Sequence, residues 1–299
     1  MSEKYEPSRR EFLSRGGILL FGNALLDASG PGTRAATAIV TEQEGKVPVI
    51  DCHAHAGIAR LSGTEDDLTD PWNAVADPEM IFRRAKEAGI DQTVIFPIYN
   101  RTYEKANEDI AEICRRYPGR FIGFACHSPA TEAGRIRTLL LREYQAWGLR
   151  GVGELEEDPT PELLDVVKEL RIPILIHPPR EHVAPFNDFV PSYPDVNFIV
   201  AHLGSSGSED FEEHLAAINL AKRYPNVYLD TSNVVITRYL EMAIEELGPQ
   251  KILFASDEPE SDCRLEIFKI RNLKLPKEHE EMILGGNILR LLGGSRRVP

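Results

Sequence analysis

The 299-residue chain is 42% hydrophobic and 27% charged, an ordinary globular profile. Its length suits two small domains or one α/β barrel of about 250 residues. A formal charge of −13 argues against a nucleic-acid backbone or an anionic membrane as the main partner. Cys52, Cys114, Cys126 and Cys263 form no CxxC pair, so neither a zinc knuckle nor a disulfide framework is expected, and they read as small buried hydrophobes.

At the N-terminus, Ser8-Arg9-Arg10-Glu11-Phe12-Leu13 resembles a twin-arginine export signal. An apolar stretch from Gly16 to Leu26 follows, interrupted at Asn23, then Gly30-Pro31-Gly32 and the small-x-small site Ala36-Thr37-Ala38. Residues 1–38 are expected to be a signal segment, with residues 39–299 forming one folded domain that is periplasmic or extracellular. If the segment is instead an amphipathic helix with chance arginines, the protein stays cytoplasmic. No later run approaches the ~20 apolar residues of a membrane span, so stable membrane insertion is not expected.

Beyond residue 46, short apolar runs alternate with helical patterns. The runs are Val47–Cys52, Gln92–Pro97, Arg120–Cys126, Leu149–Leu155, Ile172–His177, Asn197–His202, Asn226–Asp230 and Lys251–Ser256. Most are continuously apolar, as strands covered on both faces are. The helical candidates are Pro78–Ala88, Tyr103–Tyr117, Glu132–Trp147, Thr160–Leu170, Ser208–Tyr224 and Thr237–Leu247. Thr160 is placed to cap its helix ahead of Pro161, and Gly89, Gly148 and Gly248 follow helical runs. This alternation predicts a (β/α)8 TIM barrel in a single domain. A doubly wound open sheet would gather its ligands near one switch point, whereas polar residues here close many strands.

Active sites of such barrels collect at the C-terminal strand ends. The first run closes in Asp51-Cys52-His53-Ala54-His55; later ones bring Glu154, His177, His202 and Asp257. Strict alternation along the first strand would point Asp51, His53 and His55 to the inner face and Cys52 toward the helices. Imidazoles converging from strand ends with acidic neighbours suit a divalent ion. Trp72, Tyr99, Arg101, His127, Arg180, Ser256 and Glu258 are placed to face a substrate, and Arg101 and Arg180 are natural clamps for a carboxylate.

These residues carry a resemblance to the amidohydrolase superfamily, in particular its amidohydrolase-2 branch of aminocarboxymuconate-semialdehyde decarboxylase-like enzymes. It spans about Val47 to Leu292 and rests on Asp51-Cys52-His53-Ala54-His55, Arg116-Tyr117-Pro118-Gly119-Arg120-Phe121, Ile176-His177-Pro178, Ala201-His202-Leu203-Gly204, Phe254-Ala255-Ser256-Asp257 and Gly286-Asn287-Ile288-Leu289-Arg290. The resemblance implies one divalent metal ion, usually Zn2+, on His53, His55, His177 and Asp257, with an open position for a water that the metal acidifies. It implies that His202 acts as a base or polarises the substrate, and that Asp257 shuttles a proton. Glu154 stands where other branches of the superfamily carry a bridging ligand; if it bridges, His177 and His202 would hold a second ion. Otherwise it orients a histidine or lines the pocket.

The expected function is hydrolysis of a small-molecule lactone, amide or ester. The alternative is non-oxidative decarboxylation of an unsaturated or aromatic carboxylic acid. A retired barrel serving as a metal or ligand carrier would need a lost ligand, and no ligand position is vacant. No nucleic-acid partner is expected, and the default assembly is a homodimer.

Overall fold

The computed structural model describes residues 46–59, 76–100, 102–178, 182–205 and 211–293. The expected export segment, Trp72, Arg101 and Arg180 lie outside the described residues.

The apolar runs form eight parallel strands: β1 (Ile50–Ala56), β2 (Gln92–Pro97), β3 (Phe121–Gly123), β4 (Val152–Leu155), β5 (Ile174–Ile176), β6 (Phe198–Val200), β7 (Val227–Asp230) and β8 (Ile252–Leu253). They pair in the orders β1-β2-β3 and β4-β5-β6-β7-β8. Two seams join these runs into a ring. At the first, Ala125 N–H donates to Gly151 O at 2.9 Å and Gly153 N–H donates to Ala125 O at 2.8 Å. At the second, Cys52 N–H donates to Phe254 O at 3.0 Å, Asp257 N–H to His53 O at 2.7 Å and His55 N–H to Glu258 O at 2.7 Å. The expected (β/α)8 barrel is therefore closed.

The described helices are α1 (Pro78–Ala88), α2 (Glu104–Arg116), α3 (Ile136–Arg142), α4 (Pro161–Leu170), α5 (Phe186–Phe189), α6 (Phe211–Arg223), α7 (Thr237–Leu247), α8 (Cys263–Asn272), α9 (Lys277–Glu281) and α10 (Asn287–Leu291). Asp77 caps α1 by accepting from Glu79 N–H at 3.0 Å, and Pro78 occupies the first turn. One expected helix start differs, and one expected cap bond is absent. Helix α3 begins at Ile136 rather than Glu132, because the Glu132 carboxylate accepts from the N–H groups of Tyr103 and Ser128 instead. Thr160 precedes α4 but its hydroxyl makes no capping bond, while Glu162 is drawn across to the N–H groups of Gly134 and Arg137.

The apolar residues divide into two layers. Ile95, Val152, Ile174, Ile176, Phe198 and Val200 face outward against Ile81, Ile110, Leu140, Leu163 and Leu240 of the helices. Inside the ring, Ile50, Cys52, Val94, Phe96, Ile122, Phe124, Leu175, Ile199, Leu253 and Ala255 fill the barrel, and Ile288, Leu289 and Leu291 of α10 plug its floor. The floor is pinned where Asn287 Nδ2 donates to the carbonyls of Pro249 and Ile252, each at 2.8 Å. Close approach there requires Gly285, since a Cβ would stand 1.8 Å from the Pro48 carbonyl oxygen. With the floor sealed, the barrel interior opens at its C-terminal mouth.

Strand β1 departs from strict alternation. Its register against β2 shifts between Asp51 and Ala54, a bulge that turns consecutive residues Cys52 and His53 to the same inner side. Cys52 therefore packs inside the barrel rather than toward the helices. Asp51 faces the other way, where it accepts from Ser256 N–H at 2.9 Å and Ser256 Oγ–H at 2.6 Å. All four cysteines are buried free thiols.

Candidate metal centre

The bulge places His53 and His55 side by side at the mouth, ring centroids 5.3 Å apart, with Phe96 below both. His53 is fully buried and His55 is half-buried. Asp257, from the turn after β8, sets Oδ1 at 3.2 Å from both Nε2 atoms. Glu154, from β4, sets Oε2 at 3.5 Å from His53 Nε2 and 3.4 Å from His55 Nε2. Its other oxygen, Oε1, lies 3.5 Å from His202 Nε2. The His177 and His202 rings are 5.1 Å apart, and His177 joins Glu154 and His202 in a second potential donor set. The first set is His53, His55 and Glu154, and a third joins His53 and His202 to Asp257.

The structure thus brings together His53, His55, Glu154, His177, His202 and Asp257. It places His177 on the His202 side of Glu154, while His55 and Asp257 lie on the His53 side. Other expected site residues are engaged elsewhere. His127 is buried between carboxylates, Nδ1 2.8 Å from Glu132 and Nε2 3.0 Å from Glu143. Glu258 is held by Arg84 and by Cys263 N–H, and Ser256 by Asp51. Tyr99 is exposed.

Three site-bearing turns use left-handed backbone: His202 (φ 54°), Asn233 (φ 54°) and Asp257 (φ 62°). After β6 the sequence His202-Leu203-Gly204 keeps positive φ throughout, ending at 100° at Gly204. Such clustering of sparsely populated φ/ψ at one mouth is the pattern of a preorganised functional site.

The electrostatics are dominated by carboxylates. Burial opposes charge on His53, His55 and His202, yet Glu154 and Asp257 raise the first two, His55 to about 10, and Glu154 raises the third. Burial alone would push Asp257 and Glu154 up, but the imidazoles, His53 foremost, hold both well below the usual carboxylate range. Nearby Glu156 is raised by burial and by Glu154. Within this cage His53 Nε2 and Glu154 Oε1 are buried without a hydrogen-bond partner. Unpartnered buried polar atoms among further nitrogen and oxygen donors are what a divalent cation would satisfy, so the residues present fit one.

The family model described as amidohydrolase matches residues 50–294. The chain belongs to the amidohydrolase family. Members of its amidohydrolase-2 branch are metal-dependent hydrolases or decarboxylases. Among solved structures, it is similar to a 5-carboxyvanillate decarboxylase from Sphingomonas paucimobilis at 17% identity, covering 83% of this chain and 99% of that one, with a TM-score of 0.60. A dihydroxybenzoic acid decarboxylase from Polaromonas sp. JS666, with bound manganese and the inhibitor 2-nitroresorcinol, matches at 19% identity, 83% and 98% coverage and a TM-score of 0.60. A probable 2-pyrone-4,6-dicarboxylic acid hydrolase from Acinetobacter baumannii with citric acid bound matches at 18% identity, 82% and 99% coverage and a TM-score of 0.61. These likenesses show the amidohydrolase barrel. No curated protein sequence matches the chain.

Sequence reasoning passed over Asp230, Ser232 and Asn233, which follow one another at the end of β7. Asp230 Oδ2 lies 2.9 Å from His53 Nδ1, Ser232 Oγ lies 2.9 Å from His202 Nδ1, and Asn233 Nδ2 donates to Asp257 Oδ2. The signal was present: Asp230 is one more acidic residue at a strand end, as Asp257 is.

Proposed function

We propose that this amidohydrolase cleaves a small-molecule lactone, amide or ester with a divalent ion, zinc, held at the mouth of the barrel. The observation that carries the reading is the convergence of His53 Nε2, His55 Nε2, Glu154 and Asp257, two of whose atoms are buried and unpartnered. His53, His55, Asp257 and Glu154 would hold the ion, and Glu154, His177 and His202 offer a second position. The two imidazoles support zinc, while the two carboxylates and the manganese in the Polaromonas structure make manganese the competitor to test. When bound, such an ion supplies Lewis acidity toward a carbonyl oxygen or water.

The chain's own residues supply the proton handling. His202 Nε2 faces Glu154 across the centre and serves as the base, its ring fixed at Nδ1 by Ser232. Asp257 can receive a proton and pass it to a leaving group, its Oδ2 held by Asn233. Phe96 excludes water beneath the two β1 histidines. Arg101 and Arg180 are proposed to clamp a substrate carboxylate.

The decarboxylase reading keeps the same ligands and is favoured by the decarboxylases among the similar structures. Metal-loaded protein should hydrolyse members of a lactone, amide and ester panel without releasing CO2. Sustained CO2 release from aromatic carboxylic acids, with no hydrolysis, would establish the lyase instead. His53→Ala should lose its metal and drop turnover by at least about 10²-fold, more than the loss of a supporting partner costs. Retained metal in that variant would remove the centre itself.

Export by the twin-arginine route is proposed on Ser8-Arg9-Arg10-Glu11-Phe12-Leu13. Replacing Arg9 and Arg10 by lysine should leave the protein in the cytoplasm of a fractionated host; unchanged export would refute it.

A further inference from the structure

Asp230 belongs to none of the donor sets at the mouth, yet it reaches two of their histidines. Its Oδ2 lies 2.9 Å from His53 Nδ1. Its Oδ1 accepts from His202 N–H at 2.9 Å, Ser232 N–H at 3.1 Å and Ser232 Oγ–H at 2.7 Å. Asp230 and Ser232 are fully buried.

The chemistry of the partners fixes the direction of each bond. A carboxylate only accepts, so the proton between Asp230 and His53 sits on His53 Nδ1. The Ser232 hydroxyl has one hydrogen and gives it to Asp230 Oδ1, because two bare oxygens would repel at that distance. Ser232 Oγ is then an acceptor toward His202 Nδ1, 2.9 Å away, and His202 also carries its proton at Nδ1. In neutral form, each ring turns its lone pair at Nε2 toward Glu154.

We infer that Asp230 is a positioning residue that fixes two histidines from different strands in the same tautomer, His53 directly and His202 through Ser232. The inference rests on the metal-centre reading above, since it explains how His53 presents its Nε2 lone pair to the ion and His202 keeps its Nε2 lone pair free to act as the base.

The backbone bonds dictate what an amide would do. In Asp230→Asn the side-chain oxygen must stay toward the N–H groups of His202 and Ser232, which cannot reverse. The amide NH2 then faces His53 Nδ1, and only an unprotonated Nδ1 can accept from it. The His53 proton is displaced to Nε2, while His202 keeps its tautomer. Ser232→Ala does the opposite, leaving His53 unchanged and freeing His202.

The test combines zinc affinity, measured by chelator competition, with nitrogen-15 NMR of the imidazoles in the zinc-loaded protein. Wild type should show His53 and His202 each protonated at Nδ1. Asp230→Asn should bind zinc about 10- to 100-fold more weakly, the range for loss of a partner behind a ligand. Ser232→Ala should alter the His202 signals alone. Wild type holding zinc with either ring protonated at Nε2, or Asp230→Asn binding as tightly as wild type, overturns the inference while sparing the metal centre. Wild type that takes up no zinc overturns both. If circular dichroism shows Asp230→Asn to be unfolded, the Ser232→Ala spectrum decides: altered His53 signals, or unaltered His202 signals, overturn the inference.

Discussion

Glu154 offers one carboxylate oxygen to His53 and His55 and the other to His202, so a single side chain spans both histidine pairs. Replacing it by glutamine keeps the shape but puts hydrogens where one set of lone pairs was. Glu154→Gln should therefore lower bound metal per chain, with affinity reduced beyond the ~10- to 100-fold typical of outer partners. Elemental analysis after dialysis reads the result, and unchanged stoichiometry would remove Glu154 from the ligand set. His127 is the contrasting case, a buried ring wholly engaged in structure. Burial opposes its charge, but Glu132 and Glu143 raise it to about 9. Its unfolded value is about 6.5, so the stabilisation is complete below that pH and is lost as pH climbs through about 9. The difference corresponds to roughly 3 kcal/mol at most. Glu132 is lowered by His127 despite its burial, so its own share is present at neutral pH and fades in acid. His127→Gln should flatten the alkaline fall of Tm between neutral pH and pH 10. Parallel falls in variant and wild type would deny the ring this role.

At the scale of elements, strand identity was legible because each buried strand is a short, continuous apolar run. The placement of Glu154, His177, His202 and Asp257 near strand ends followed from the same pattern. Local geometry was not legible. Alternation predicts Cys52 outward and Asp51 inward, and the bulge in β1 reverses both. A bulge is set by how two strands register, information carried by neither strand alone. Thr160 was legible as the residue before α4, but its hydroxyl is buried without a hydrogen-bond partner and makes no capping bond. Asp230 was missed because its role appears only when β7 stands beside β6 and the mouth of β1. The cap at α1 is a bond the structure shows directly, Asp77 accepting from Glu79 N–H. Asp77→Ala should cost about 1 kcal/mol in chemical denaturation, with little effect on metal content. A loss below a few tenths would show that the bond contributes nothing net.

For the whole molecule, the carboxylate-rich mouth makes metal and protons competitors. His53 and His55 are raised in the absence of a cation, His55 to about 10, so an ion must displace protons to bind. Metal affinity should therefore rise with pH across the neutral range, with proton release visible in calorimetry run in buffers of different ionisation enthalpy. Affinity independent of pH would contradict the proposed ligands. A cation that binds only the folded barrel also stabilises it, by about 2.7 kcal/mol at a hundredfold excess over Kd. Chelation should then lower Tm by about 5–10 °C for a domain of this size. Among the described residues no helix is long and apolar enough to cross a membrane.

The seam between β1 and the turn after β8 has a consequence in time. Asp51 and Ser256 are 205 positions apart, and their bonds lie beside the backbone contacts that bring Asp257 to His53. A ribosome delivers the first histidines long before the aspartate that completes their cage. Any chain stalled short of that point lacks both the last staves of the ring and a donor. Metal uptake at these donors would therefore require that Asp257 has been made and that β1 has met the turn after β8.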